Sequence, residues 1–237
     1  MKTVREYYDQ QWKGSAGDIF SQAFQTAISY SYELLGEIQS KKVLEIGGGS
    51  GEQACFFSAR GAEVTVIDIS LESLKMTEER AQKRKAFLQI EQMDAENMSF
   101  ADNHFDLIYC NSVLMHVNLQ KVMGECSRVL KKGGKLITIE PLRYAPFVQL
   151  YRFFSPYKKM KPRYATLRMF RESKRYFSHF SHQEFYLFSS ALLPILYGKS
   201  TVLQELYHFV AKRERFLFKL CPWLRSCCWV SVVQYQK

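Results

Sequence analysis

The sequence predicts an α/β fold in which a mostly parallel sheet is covered by helices on both faces. Three observations carry this. Short apolar, often β-branched runs alternate with stretches of helical period between residues 42 and 140. Those short apolar runs alternate with helices in the pattern of a parallel sheet covered on both faces. A cluster of glycines stands where the first run gives way to the first of these helices. Composition agrees: 237 residues, 47% hydrophobic and 24% charged, supply a core and exclude wholesale disorder.

Taken in order, Phe20, Ala23, Phe24, Ala27, Ile28, Leu34, Leu35 and Ile38 recur at helical spacing from Asp18 to Ile38. The run from Lys42 to Ile46 reads as a first strand. A helix follows from Glu52 to Arg60, stopped by Gly61. Glu63 to Ile67 is a second strand, and Ser70 offers an N-cap to a helix that reaches about Lys85. Ala86 to Gln92 is a weaker third strand and Phe105 to Cys110 a fourth. Leu119, Val122, Met123, Cys126, Val129 and Leu130 share one helix face, with Lys131 and Lys132 expected in the last turn and Gly133-Gly134 as the stop. Lys135 to Glu140 is a fifth strand. Beyond Pro141 the alternation ends. A basic and aromatic stretch runs to Arg175, Ala191 to Leu224 is expected to be helical, and Cys227 to Tyr235 reads as a closing strand.

Several classes are excluded. The longest apolar run, Phe185 to Tyr197, contains Pro194 and is shorter than the ~20 residues that span a bilayer. Met1 to Tyr8 is charged with no apolar stretch behind it, unlike a secretory leader. Cys55, Cys110, Cys126, Cys221, Cys227 and Cys228 lack the paired spacing of a zinc site and the density of a disulfide scaffold, so no metal is expected and a reduced cytoplasmic setting is. Charge is uneven. Up to Glu140, 16 Lys and Arg face 19 Asp and Glu; beyond it, 17 face 4. The second part is therefore strongly basic, which suits an anionic partner.

The run Val43-Leu-Glu45-Ile-Gly47-Gly48-Gly49-Ser-Gly51 turns from strand to helix. A dinucleotide fingerprint needs a further glycine where Glu52 stands, and the Gly-Lys-Ser/Thr of a phosphate-cradling P-loop is absent. What remains is an acid-x-Gly-x-Gly-x-Gly pattern. Asp68, about 20 residues on at the end of the second strand, has the separation of a carboxylate that accepts ribose hydroxyls. Asp94 follows the third strand.

With Phe105-Asp-Leu-Ile-Tyr-Cys-Asn-Ser-Val-Leu-Met-His116-Val and Leu130-Lys-Lys-Gly-Gly-Lys-Leu-Ile-Thr-Ile-Glu140-Pro, these residues resemble the class I S-adenosylmethionine-dependent methyltransferases over roughly residues 40 to 141. The match is nearest the small-molecule branch that includes the quinone-biosynthesis C-methyltransferases. The resemblance implies a Rossmann-like, mostly parallel seven-stranded sheet with an antiparallel final strand and a helical insertion. It divides the chain into a helical lid (1–39), a cofactor-binding core (40–141) and a basic aromatic substrate lobe that carries the last strands (142–237), all in one structural domain. It implies S-adenosylmethionine as cofactor, held by the Gly47, Gly48, Gly49 and Gly51 turn. Glu45 would offset its ammonium and Asp68 would take both ribose hydroxyls. Ile69 would pack on the adenine, Asp94 and Ala95 would read its edge, and Cys110 and Asn111 would stand near the methyl-bearing sulfur. His116 is the candidate base for an acceptor that must lose a proton, and Tyr7, Tyr8 and Trp12 resemble lid residues of this branch.

For the acceptor, the Asn/Asp-Pro-Pro-aromatic motif of nitrogenous-base methylation is missing after the fourth strand, which reads Asn111-Ser-Val-Leu. Between Arg143 and Phe180, ten Lys and Arg are opposed by Glu172 alone and interleaved with aromatics such as Tyr144, Phe147 and Tyr164. The expected function is methyl transfer to a small acceptor, apolar, lipid-linked or natural-product-like, with Arg143 and Tyr144 on the substrate side and peripheral contact with an anionic membrane. An RNA methyltransferase using the basic lobe is the disfavoured alternative, since no RNA-binding module signature occurs. A cofactor-binding subunit that activates another enzyme is the non-catalytic alternative.

Overall fold

The computed structural model describes residues 24–154, 162–189, 209–210, 213–214 and 216–237. The helix α1 (Gln25–Leu35) precedes β1 (Lys42–Ile46), α2 (Glu52–Ser58), β2 (Glu63–Asp68), α3 (Leu71–Arg84), β3 (Leu88–Gln92) and β4 (Phe105–Asn111). A short 3-10 turn (Leu114–His116) leads to α4 (Leu119–Val129) and β5 (Leu130–Pro141), followed by α5 (Pro146–Phe154), α6 (Leu167–Ser173), β6 (His179–Phe185), a 3-10 turn (Pro222–Cys227) and β7 (Val230–Gln236). The seven strands form one sheet in the order β3-β2-β1-β4-β5-β7-β6. The first five are mutually parallel, and β7 runs antiparallel between β5 and β6. The sheet architecture expected from the resemblance is present.

Both faces of the central strands β1, β2, β4 and β5 are largely buried, which explains their mostly apolar runs, whereas the edge strand β3 is half-exposed. In β4, Leu107 and Tyr109 face a core shared with Phe24, Ala27 and Leu35 of the α1 region, while Ile108 and Cys110 face Val122, Met123 and Cys126 of α4. Polar fastenings orient α1: Ser31 Oγ lies 2.9 Å from the buried Tyr109 hydroxyl, and the Ala27 N–H donates to the Tyr186 hydroxyl at 3.0 Å. Ser70 caps α3 as expected, accepting from the Ser73 N–H at 3.2 Å, and Lys85 ends it in a left-handed conformation. Asn118 caps α4 in the same way.

Other expectations are corrected. Lys131 to Gly134 form no helix end: α4 stops at Val129, and β5 already begins at Leu130. Strand pairing overrides the glycine stop there, since Leu130 pairs with Phe105 before a register shift, Gly133 (φ +78°) takes up the irregularity, and Lys131 Nζ pairs with Asp106 at 2.8 Å. Strand β3 begins at Leu88 rather than Ala86, α2 ends at Ser58 rather than Arg60, and the closing strand spans Val230–Gln236 because a 3-10 turn occupies Pro222–Cys227. The beginning of the first predicted helix, the lid residues Tyr7, Tyr8 and Trp12, and much of 191–224 lie outside the described residues.

Candidate active site

The sheet order reverses at β1, with β2 on one side and β4 on the other, so a crevice opens beyond the carboxyl ends of β1 and β4. The glycine turn lines it. Gly47 (φ +76°) donates its N–H to the Ile67 carbonyl at 2.8 Å, and a Cβ there would fall 2.2 Å from Val113 Cγ2. Gly51 (φ +73°) has no more room, because its Cβ would stand 2.8 Å from Thr77 Cα of α3. The turn is thus clamped between α3 and the segment after β4.

Two carboxylates flank it. Glu45 on β1 is buried and accepts the Ala54 N–H from the first turn of α2, yet its Oε2 has no hydrogen-bond partner. Burial first, and then the neighbouring Asp68, raise its pKa well above the usual carboxylate range. Asp68, ending β2, is better supplied. Its Oδ1 accepts the Ser70 N–H at 2.9 Å and its Oδ2 the Ser73 hydroxyl at 2.6 Å, with the Gly49 and Ile69 N–H groups also donating. Burial still raises its pKa. Ile69, beside it, is 42% exposed, and Ala95 is buried beneath the exposed Asp94, whose Oδ1 accepts the Glu96 N–H at 2.8 Å. Glu45, the glycines, Asp68 and Ile69 therefore converge on the crevice. A buried carboxylate oxygen without a partner, above a turn too tight for a side chain, fits a ligand that carries an ammonium group.

The end of β4 differs from a simple reading of its sequence. Cys110 is fully buried, its thiol 3.8 Å from Glu140 Oε1, so its side chain faces the core. Asn111 is half-buried and accepts from the Ser112 hydroxyl at 3.0 Å; Ser112 itself holds φ +60°. His116 ends the 3-10 turn, and burial lowers its pKa to about 4, leaving the ring neutral at physiological pH. Glu140, which had no assigned role, organises this region. Its Oε1 accepts the Val113 N–H at 3.1 Å, the Leu114 N–H at 2.9 Å and the Thr138 hydroxyl at 3.2 Å. Burial raises its pKa to about 7. The signal available in the sequence was an acid closing an otherwise apolar strand, just before Pro141.

The lobe beyond β5 reaches the same place. The Arg163 N–H donates to the Met115 carbonyl at 2.8 Å, tying the lobe to the His116 turn. Arg143 is exposed, 6.0 Å from the half-exposed Tyr144 ring. Arg152 of α5 is buried over the Tyr164 ring at 3.6 Å, donates to the Leu142 carbonyl at 2.8 Å, and has no partner for Nη2. A separate cavity of about 630 Å³ between α1, α2 and α3, lined by Tyr32, Phe56, Arg80 and Arg84 among others, touches none of these site residues. No cluster of metal-ligating side chains occurs among the described residues.

Comparison with known proteins places this geometry. Residues 44–138 match the family model described as a methyltransferase domain. The chain is 33% identical over 135 residues to a ubiquinone/menaquinone biosynthesis C-methyltransferase of Psychromonas ingrahamii, covering 53% of either chain. It is 35% identical over 125 residues to a demethylmenaquinone methyltransferase of Tropheryma whipplei, covering 50% of this chain and 51% of that one. The chain thus spans about half the length of these curated relatives. Among solved structures, phosphoethanolamine N-methyltransferase 2 of Haemonchus contortus, in complex with phosphomonomethylethanolamine and S-adenosylhomocysteine, superposes with a TM-score of 0.72 over 100% of this chain and 60% of that one. At 19% identity that likeness is one of fold. The resemblance to class I methyltransferases is borne out over the core.

Proposed function

We propose that the chain catalyses S-adenosylmethionine-dependent methyl transfer to a small-molecule acceptor that is apolar, lipid-linked or natural-product-like. The observation that carries this is the buried, unpartnered Glu45 Oε2 beside Asp68 at the glycine turn. In this reading Glu45 offsets the ammonium of the cofactor and Asp68 takes the ribose hydroxyls. Ile69, Asp94 and Ala95 frame the adenine, the 47–51 backbone approaches the methionine part, and Cys110 contributes through its strand-end backbone beside Asn111. The bound cofactor supplies a methyl group already activated on a sulfonium, so the protein's task is alignment and exclusion of water. His116, neutral at physiological pH, is the group able to accept a proton from an acceptor hydroxyl or acidic carbon.

The acceptor side comprises Arg143, Tyr144 and the rest of 142–237, with 1–39, including Tyr7, Tyr8 and Trp12, as the lid over the 40–141 core. The basic excess beyond Glu140 supports a cytoplasmic protein in peripheral contact with an anionic membrane; no helix among the described residues is long and apolar enough to cross one. Calorimetry with S-adenosylmethionine and its demethylated product tests the reading. Wild type should bind both in the micromolar range, and folded wild type that binds neither would refute it.

A further inference from the structure

The last segment before β7 presents its apolar residues the wrong way round for a helix on a soluble protein. Residues 209–210, 213–214 and 216–220 are helical. Within 216–220, positions 216 and 220 share one face at 3.6 residues per turn, and 218 takes the opposite one. The inner face is settled by contacts. Glu214 is 3% exposed and accepts both the Ser189 N–H at 2.6 Å and the Ser189 hydroxyl at 3.1 Å, while Phe218 is buried in the core shared with Phe170 and Leu187. That orientation turns the other face outward. Phe209 is 58% exposed, Phe216 61%, Leu220 64%, and Trp223, in the 3-10 turn that follows, 69%.

Cations border this stripe. Arg213 sits beside Phe209, its guanidinium 5.0 Å from that ring, and the exposed Lys219 immediately precedes Leu220. Large exposed apolar side chains gathered in one short segment mark an interaction surface. The charge decides what covers it. A second copy would set Arg213 and Lys219 against equivalent cations, and a nucleic acid, which could stack on Phe216, would leave aliphatic Leu220 without a partner. A lipid interface with anionic headgroups satisfies both: apolar and indole side chains settle at the headgroup boundary, and Lys and Arg pair with the phosphates.

We infer that the stripe Phe209, Phe216, Leu220 and Trp223, flanked by Arg213 and Lys219, is a membrane-docking face that inserts shallowly into a bilayer containing anionic lipid. This deepens the proposed function, on whose reading of residues 142–237 as the acceptor side it rests: docking there would bring the lobe tied to the His116 turn to the surface where an apolar acceptor resides. The face differs from the basic stretch after β5, because here insertion rather than charge alone holds the protein.

Cosedimentation of the full chain with phosphatidylcholine vesicles, with and without about 30 mol% phosphatidylserine, at about 0.15 M salt tests this. Wild type should partition onto the serine-lipid vesicles. The triple variant Phe216→Ser/Leu220→Ser/Trp223→Ser alters only exposed positions and should lose at least ~10-fold in partitioning. The double variant Arg213→Gln/Lys219→Gln should lose about fivefold per charge on the anionic vesicles and nothing on pure phosphatidylcholine. Wild type that stays in the supernatant, or a triple variant that partitions undiminished, overturns the inference. So does a wild-type dimer that the triple variant turns into a monomer, since a second copy would then cover the face. S-adenosylmethionine affinity, measured on the same samples, separates the two claims: wild type that binds vesicles but no cofactor refutes the methyltransferase reading and leaves the docking face standing.

Discussion

The two flanks of the sheet bury carboxylates toward different ends. On the β1–β2 side, Glu45 keeps one oxygen unpaired while Asp68 is ringed by donors, and both border a turn that has no space for side chains. On the β5–β6 side, buried acids are spent on the protein's own segments. Glu140 clasps the Val113–Leu114 backbone, Glu184 Oε1 accepts the Ser231 hydroxyl at 3.0 Å and lies 2.6 Å from His182 Nδ1, and Glu214 pins the outward-facing helical segment to Ser189. Buried charge costs free energy wherever it stands. Glu140 and Glu184 also leave their Oε2 atoms without a hydrogen-bond partner, so what sets the first flank apart is the glycine turn beside Glu45, which has room for a ligand but not for side chains. What a buried acid borders, the glycine-lined crevice or the protein's own segments, separates binding groups from braces.

Four outcomes would break or sharpen that contrast. The largest is expected at Asp68. Asp68→Ala should weaken S-adenosylmethionine binding by about two to three orders of magnitude, since a site built to accept hydroxyls loses its acceptor. A loss below about tenfold in calorimetry would make Asp68 a brace like Glu140.

Glu140 comes next. Glu140→Ala strips acceptors from the Val113 and Leu114 N–H groups and should cost about 3 kcal/mol in denaturant unfolding and lower turnover. Glu140→Gln retains an oxygen for those donors and should preserve turnover. Because the folded pKa is raised to about 7, the folded state holds the proton more tightly than the unfolded chain, and the carboxyl's contribution is lost as pH rises from about 4.5 to 7. The melting temperature of the Gln variant should therefore gain on wild type across that window. A gap that stays constant with pH would refute the bracing role as stated.

His116 follows with the opposite sign. Its folded pKa of about 4 lies below the unfolded value near 6.5, so stability falls as pH drops through that interval, by ~3 kcal/mol, and His116→Gln should flatten the slope. If the ring is also the base, the rate should inflect near 4, not near 6.5 as an unperturbed histidine would give. A wild-type inflection at 6.5 that vanishes in the variant would show the imidazole to be far more solvated than the fold implies.

The smallest effect is expected at Ile69, which is part-exposed. Ile69→Ala should reduce cofactor affinity about three- to fivefold, the worth of partial apolar burial, with an unchanged melting temperature. An equal loss of stability would assign the side chain to the core instead.

Much of this was legible in local pattern. Mostly apolar runs at 42–46, 63–67 and 105–110, the Ser70 cap and the glycines at 47, 49 and 51 specify a strand-turn-helix unit whose backbone leaves little choice, because φ above zero and close approach both demand glycine. The acids at 45 and 68 are placed by the same periodicity that places the strands. The start of β5 was not legible. Lys131-Lys-Gly-Gly has the local chemistry of a helix end, and pairing with Phe105 and the hydrogen bonds between Gly133, Gly134 and the terminal Lys237 override it across more than a hundred residues. Nor could residue order say that Glu140 meets Val113, that the Cys110 thiol turns inward, that burial carries His116 to about 4, or that Glu214 and Phe218 face the core while Phe216 and Leu220 face out. Local sequence sets which backbone shapes are cheap, whereas desolvation and long-range hydrogen bonds depend on what packs alongside, and that is known only once the sheet has closed around it.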